Sequence, residues 1–177
     1  MFEKLDKNEI YKISFFRKAS LLPSTWLGGL IRIFARIKYN HTGVLYYMPI
    51  KKCWCLQEAI GDGVVMTSFL NSNAFKYYTD YEIGFLKPQG TLNMVWEISQ
   101  RMLEIEGKRY DFKGLLWHQL WLSLFNKWIG RAVKDGDRYY CYEAVAYVFG
   151  IDKKKPRDIN DRFITIEYGK IDKNYKN

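Results

Sequence analysis

The chain has 177 residues, with 28 Lys and Arg against 19 Asp and Glu, a net charge of +9, and is 48% hydrophobic and 18% aromatic. This composition excludes an intrinsically disordered chain and is enough for one hydrophobic core; the positive charge is compatible with nucleic acid, anionic lipid or an acidic polymer nearby, but does not specify a fold. No run qualifies as a membrane span, because the most apolar stretch, 114–130, is interrupted by His118, Gln119, Ser123, Asn126 and Lys127.

Met1 to Lys7 is charged and lacks an apolar segment, and the three cysteines are an odd number. The expectation is a cytoplasmic protein with free thiols. The lysines at 153–155 and at 170, 173 and 176 read as a solvated loop and a fraying end, so 1–177 is expected to be one domain with a flexible tail over 169–177.

In chain order, Ile10 to Phe16 reads as a first strand. Pro23 and Ser24 open a helix at about Thr25 that runs past Ile37. His41 to Met48, rich in Val, Leu and Tyr and stopped by Pro49, is a strand; so is Cys53 to Ile60, and Gly61-Asp62-Gly63 turns it back into Val64 to Thr67. These three form an antiparallel meander. Tyr81 to Leu86 is a further strand.

Helical periodicity marks Thr91 to Glu106, ended by Gly107, and Tyr110-Asp111-Phe112 leads into a very apolar helix over Lys113 to Trp128. A helix then starts near Cys141 and is capped by Gly150, and Phe163 to Tyr168 closes the chain as a strand. The pattern is α+β, with helices packed around an antiparallel sheet.

A nucleophile fits best at Cys141, in the first turn of its helix, where unpaired amides and the positive end of the dipole favour a thiolate. A base must come from two histidines. His118 lies among Trp117 and Trp121 in an apolar helix and suits packing, whereas His41 stands at the start of a strand, where a rigid sheet can aim it. A third group must orient the ring, and Glu58 on the following strand suits that role; Gln57 points to the opposite face.

Several motifs stand in one order: Asn40-His41-Thr42-Gly43-Val44, Gln57-Glu58-Ala59, Gly63-Val64-Val65, Gly107 to Phe112, Tyr140-Cys141-Tyr142-Glu143 and Pro156-Arg157-Asp158-Ile159. Together they resemble the circularly permuted NlpC/P60 papain-like group, and within it the YiiX-like branch. The resemblance implies a permuted papain-like fold in which the histidine strand precedes the cysteine helix. It implies Cys141 as nucleophile, His41 as base and then acid, Glu58 as the orienting group, and the Cys141 backbone N–H as an oxyanion donor. It also implies thiol chemistry without metal or organic cofactor, acting on an amide or isopeptide bond.

One departure from the group is Tyr142, where a small Ser is common, so Tyr140, Tyr142 and Glu143 become candidates for shaping a substrate groove. The lecithin–retinol acyltransferase relatives of this superfamily use the same chemistry on lipids. An acyltransferase or esterase acting on acyl lipid, or meeting a membrane surface through 113–128, is therefore an alternative. A catalytically inactive binding module is another.

Two other constellations are weaker. Cys53 and Cys55 share a strand face and could join His41 at a metal, but no fourth ligand has a recognised spacing, and two buried thiols account for them better. Interleaved Lys, Arg and Tyr residues match no nucleic-acid-binding motif, so no specific nucleic acid is expected.

Overall fold

The computed structural model describes residues 1–16, 38–86, 92–115, 137–151 and 159–174. Runs rich in Val, Ile, Tyr and Phe, bounded by Pro and Gly, form most of its strands. In chain order these are β1 (Ile10–Phe16), β2 (His41–Met48), β3 (Cys53–Ile60), β4 (Gly63–Ser68) and β5 (Asp80–Leu86), then the short β6 (Arg109–Tyr110) and β7 (Arg138–Tyr139), and β8 (Phe163–Lys170). Among the described residues the α-helices are α1 (Asn73–Tyr77), α2 (Leu92–Ile105) and α3 (Cys141–Val148).

Six strands make one antiparallel sheet in the order β4-β3-β2-β1-β5-β8. The β2-β3-β4 meander follows the sequence expectation, with Ile60 opposite Gly63 across the Gly61-Asp62 turn. The central strands are buried on both faces. One face carries Val44, Ala59 and Val64 against α2 and α3; the other carries Ile13, Phe15, Leu45, Leu56 and Ile83 against Phe2 and Phe69. Fully burying side chains such as Leu45, Leu56 and Ile83 contributes about 1.5–3 kcal/mol each.

α2 ends at Gly107 and α3 at Gly150, both in the left-handed conformation (φ 76° and 63°), as C-terminal caps require. The expected Tyr110-Asp111-Phe112 connector has two functions. β6 pairs in parallel with β7, tying the chain just before α3 to the end of α2. The Asp111 carboxylate accepts from Gly114 N at 2.8 Å, capping a helical turn over 112–115.

One expectation is corrected, and one segment without a sequence assignment acquires structure. The tail expected over 169–177 begins inside β8: Gly169 pairs with Tyr81 and Lys170 with Asp80, while Ile171 is buried and its N–H donates to Thr79 O at 2.8 Å. Ladder hydrogen bonds and an apolar anchor outweigh the local charge that suggested fraying. Residues 69–77, given no element from sequence, fold as one 3₁₀ turn (Phe69–Asn71) followed by α1. The helix expected from Thr25, the apolar helix beyond residue 115, and His118 lie outside the described residues. Among the described residues, no helix is long and apolar enough to cross a membrane.

Candidate active site

The site forms where three elements begin or cross. His41 is the first residue of β2, and Asn40 N donates to Phe15 O at 3.0 Å, fixing the approach to it. In the β2–β3 register Gly43 lies opposite Glu58. Side chains two apart share a face, so His41 and Glu58 are diagonal neighbours. His41 Nε2 lies 2.9 Å from Glu58 Oε2. The other carboxylate oxygen, Oε1, accepts from the backbone N–H of Asn73 at 2.8 Å, at the start of α1. Glu58 is thus 1% exposed but uses both oxygens, as a buried carboxylate must.

Aromatic rings set the plane of the imidazole. Tyr78 stacks on it at 5.6 Å with 9° between planes, and Phe15 lies on it at 6.0 Å and 25°. Cys141, buried at the opening of α3, stands near enough to His41 to act on its titration. Burial alone favours neutral imidazole, but Cys141 and the hydrogen-bonded Glu58 carboxylate outweigh it. They push the His41 pKa from 6.5 up to about 10. An imidazolium between a sulfur and a carboxylate is therefore the favoured state of this ring at neutral pH.

At α3 the first intrahelical bond runs from Ala144 N to Tyr140 O at 2.9 Å, so the amides of Cys141, Tyr142 and Glu143 precede the helical ladder. Glu143 reaches back toward Tyr140 N at 3.5 Å, a carboxylate placed at the positive end of the helix. Tyr110, Tyr140 and Tyr142 surround Cys141. Burial, Cys141 itself and neighbouring carboxylates hold all three phenols well above their ordinary pKa, so they stay neutral.

Cys141, His41 and Glu58, identified from sequence, are thus brought together. Tyr140 and Tyr142 are buried with Val44 and Val145 in the core, so neither ring forms an exposed groove wall. Glu143 serves the helix start. Gln57 faces away, as expected, and donates to Met102 O at 2.7 Å. Cys53 and Cys55 lie on the face of β3 opposite Glu58, with their sulfurs 3.9 Å apart, away from His41. Sequence reasoning missed three contributors: the Asn73 amide, Tyr78 and Phe15. The one local signal was Ser72, whose hydroxyl accepts from Phe75 N at 3.0 Å and caps α1.

The sequence matches no protein-family model and no curated protein. Among solved structures, the crystal structure of metalloprotein YiiX from Escherichia coli O157:H7 shares the fold, with a TM-score of 0.54 at 14% identity, covering 92% of this chain and 98% of that one. This places the chain among YiiX-like mixed α+β folds built on a large antiparallel sheet.

Proposed function

We propose that this protein is a cysteine hydrolase of the circularly permuted papain-like type, cleaving an amide or isopeptide bond. The observation that carries the reading is the buried His41–Glu58 pair, 2.9 Å apart, beside a cysteine at the start of a helix that raises the pKa of the ring. The order of the motifs in the chain and the YiiX-like fold support it.

In the reaction, the Cys141 thiolate, paired with the protonated His41 that holds its proton, bonds through sulfur to the substrate carbonyl carbon. The negative charge forming on the carbonyl oxygen faces the Cys141 backbone N–H and the positive end of α3. With Nε2 held by Glu58, the other ring nitrogen serves the proton transfers. As the C–N bond breaks, His41 returns the proton to the leaving amine. Water, deprotonated by His41, then attacks the thioester, releasing the acid and restoring the thiol. Glu58 fixes the ring and stabilises the imidazolium in each step. YiiX is described as a metalloprotein; here His41 Nε2 and Glu58 Oε2 bond to each other, and the steps above involve this chain's own groups.

Acyl transfer or ester hydrolysis on lipid is a second reading of the same site, supported by the apolar sequence over 113–128. The test is mass spectrometry of the protein mixed with peptide, isopeptide and acyl-ester substrates. The proposal expects an acyl adduct on Cys141 with amides, absent in Cys141→Ala. An adduct with acyl esters alone favours the lipid reading, and no adduct with any class removes the hydrolase assignment.

A further inference from the structure

The alternation of β3 that sends Glu58 to one face leaves Cys53 and Cys55 together on the other, buried and reduced, with Sγ atoms 3.9 Å apart. Two thiolates on one ion, at metal–sulfur bonds of about 2.3 Å, stand about 3.8 Å apart at a tetrahedral angle and about 4.0 Å at a trigonal one. The pair is therefore already at chelating separation. A third sulfur comes from β4, where Met66 pairs with Gln57 and so shares the cysteine face. Tyr46 on β2 lies opposite Cys55. Its hydroxyl donates to Met66 Sδ at 3.3 Å, and Cys55 and Cys53 both act on its titration, so one phenol lies beside all three sulfurs.

The ligand set selects the metal. Two thiolates and a thioether are soft donors; among the described residues no group of three or more His, Cys, Asp and Glu side chains could hold a metal, so the oxygen and nitrogen donors that complete a zinc site are missing. We propose that Cys53, Cys55 and Met66 form a binding site for a soft monovalent ion, Cu(I), with Tyr46 as its outer-sphere hydrogen-bond donor. Binding breaks two S–H bonds, forms two copper–thiolate bonds and releases two protons to solvent, with no change of oxidation state. The resulting single negative charge is offset by Lys51, whose charge already acts on Cys55. Tyr46, Met48 and Met66 are only half-buried, so the site opens toward solvent at that end of the sheet.

The experiment is anaerobic titration of the reduced protein with Cu(I) against a coloured Cu(I) chelator. One Cu(I) per chain should be withheld from the chelator by the wild type and by Cys141→Ser, and lost in Cys53→Ser and in Cys55→Ser. Tyr46→Phe should weaken retention about 10- to 100-fold, the range for removing an outer-sphere hydrogen bond. X-ray absorption of the copper-loaded wild type, which needs no variant to fold, should show sulfur ligands only. The proposal is overturned if the wild type withholds no copper, if the Cys53→Ser/Cys55→Ser double variant still does, if nitrogen or oxygen ligands appear, or if Zn(II) is held as tightly.

Discussion

Gly43 lies directly opposite Glu58 in the β2–β3 register, two residues from His41 on the same face of the sheet. Because position 43 has no side chain, β2 and β3 approach closely beneath the histidine–carboxylate pair. A Cβ there would sit 2.6 Å from Gln57 O and 2.9 Å from Leu56 Cδ1. Gly43→Ala should therefore spread the two strands, costing about 1–3 kcal/mol as an overpacked core position does. The urea midpoint should fall, and Cys141 labelling should slow because His41 and Glu58 are no longer in register.

Glu58 joins two partners, the His41 ring and the Asn73 amide. Glu58→Gln keeps the shape but removes the charge, and one carbonyl oxygen cannot serve both donors. The fold should lose about 1–3 kcal/mol. Turnover of a cleavable amide should fall less than in His41→Ala, where loss of the base costs roughly 10²–10⁴-fold. Equal turnover in Glu58→Gln and wild type would contradict the orienting role.

The raised His41 pKa fixes the sign of a pH effect. The unfolded ring titrates near 6.5 and the folded one at about 10, so between these values the folded ring holds a proton that the unfolded ring lacks. Its contribution is fully present below pH 6.5 and is lost as pH rises toward 10, a fall of up to about 1.4 kcal/mol per pH unit. Chemical denaturation between pH 6.5 and 8 should show this negative slope, and Glu58→Gln should flatten it.

Lys12 has the opposite sign. It is 1% exposed, donates to Asn160 Oδ1 at 2.6 Å and lies over the Phe163 ring, while Glu82 and Asp161 act on it only from beyond ion-pair distance. Burial pulls its pKa from 10.5 down to about 8, so between these values the folded chain holds fewer protons and stability rises with pH. Lys12→Met removes a charge penalty of roughly 3 kcal/mol at neutral pH, offset by about 1 kcal/mol for the lost hydrogen bond. Thermal unfolding at pH 6 should show a higher midpoint for Lys12→Met, and the advantage should vanish as pH approaches 10.

Much of this arrangement was legible in the sequence because it is local. The bounds of β2 and β3 match the expected strands, since a Val, Leu and Tyr run ended by Pro49 and a Cys-to-Ile run ended by Gly61 leave few alternatives. With both strands in hand, the two-residue period puts Glu58 within reach of His41 and turns Gln57 away. Cys141 was legible as a helix start because the apolar spacing begins there and Gly150 ends it.

What was not legible depends on distant partners. The insertion of β1 between β2 and β5 joins residues far apart in sequence, and no local pattern encodes it. The five residues of α1 are too few to show a helical period, yet they supply the Asn73 amide, and Tyr78 follows directly. Tyr142 looked like a groove residue because it follows the cysteine, but the helix turns it into the core. β8 extends past Tyr168 because Tyr81 and Asp80 are there to pair with it.

The central claim is that His41 activates Cys141. It is tested most directly by the rate of iodoacetamide alkylation at each cysteine across pH, in wild type and His41→Ala, with mass spectrometry locating the label. Cys141 should react fast well below the pH at which an ordinary thiol does, and should lose that advantage in His41→Ala. Cys55, whose thiol burial and Cys53 push up to about 11, should stay slow in both. A Cys141 that stays unlabelled in the native protein, or reacts at the same rate without His41, would contradict the account.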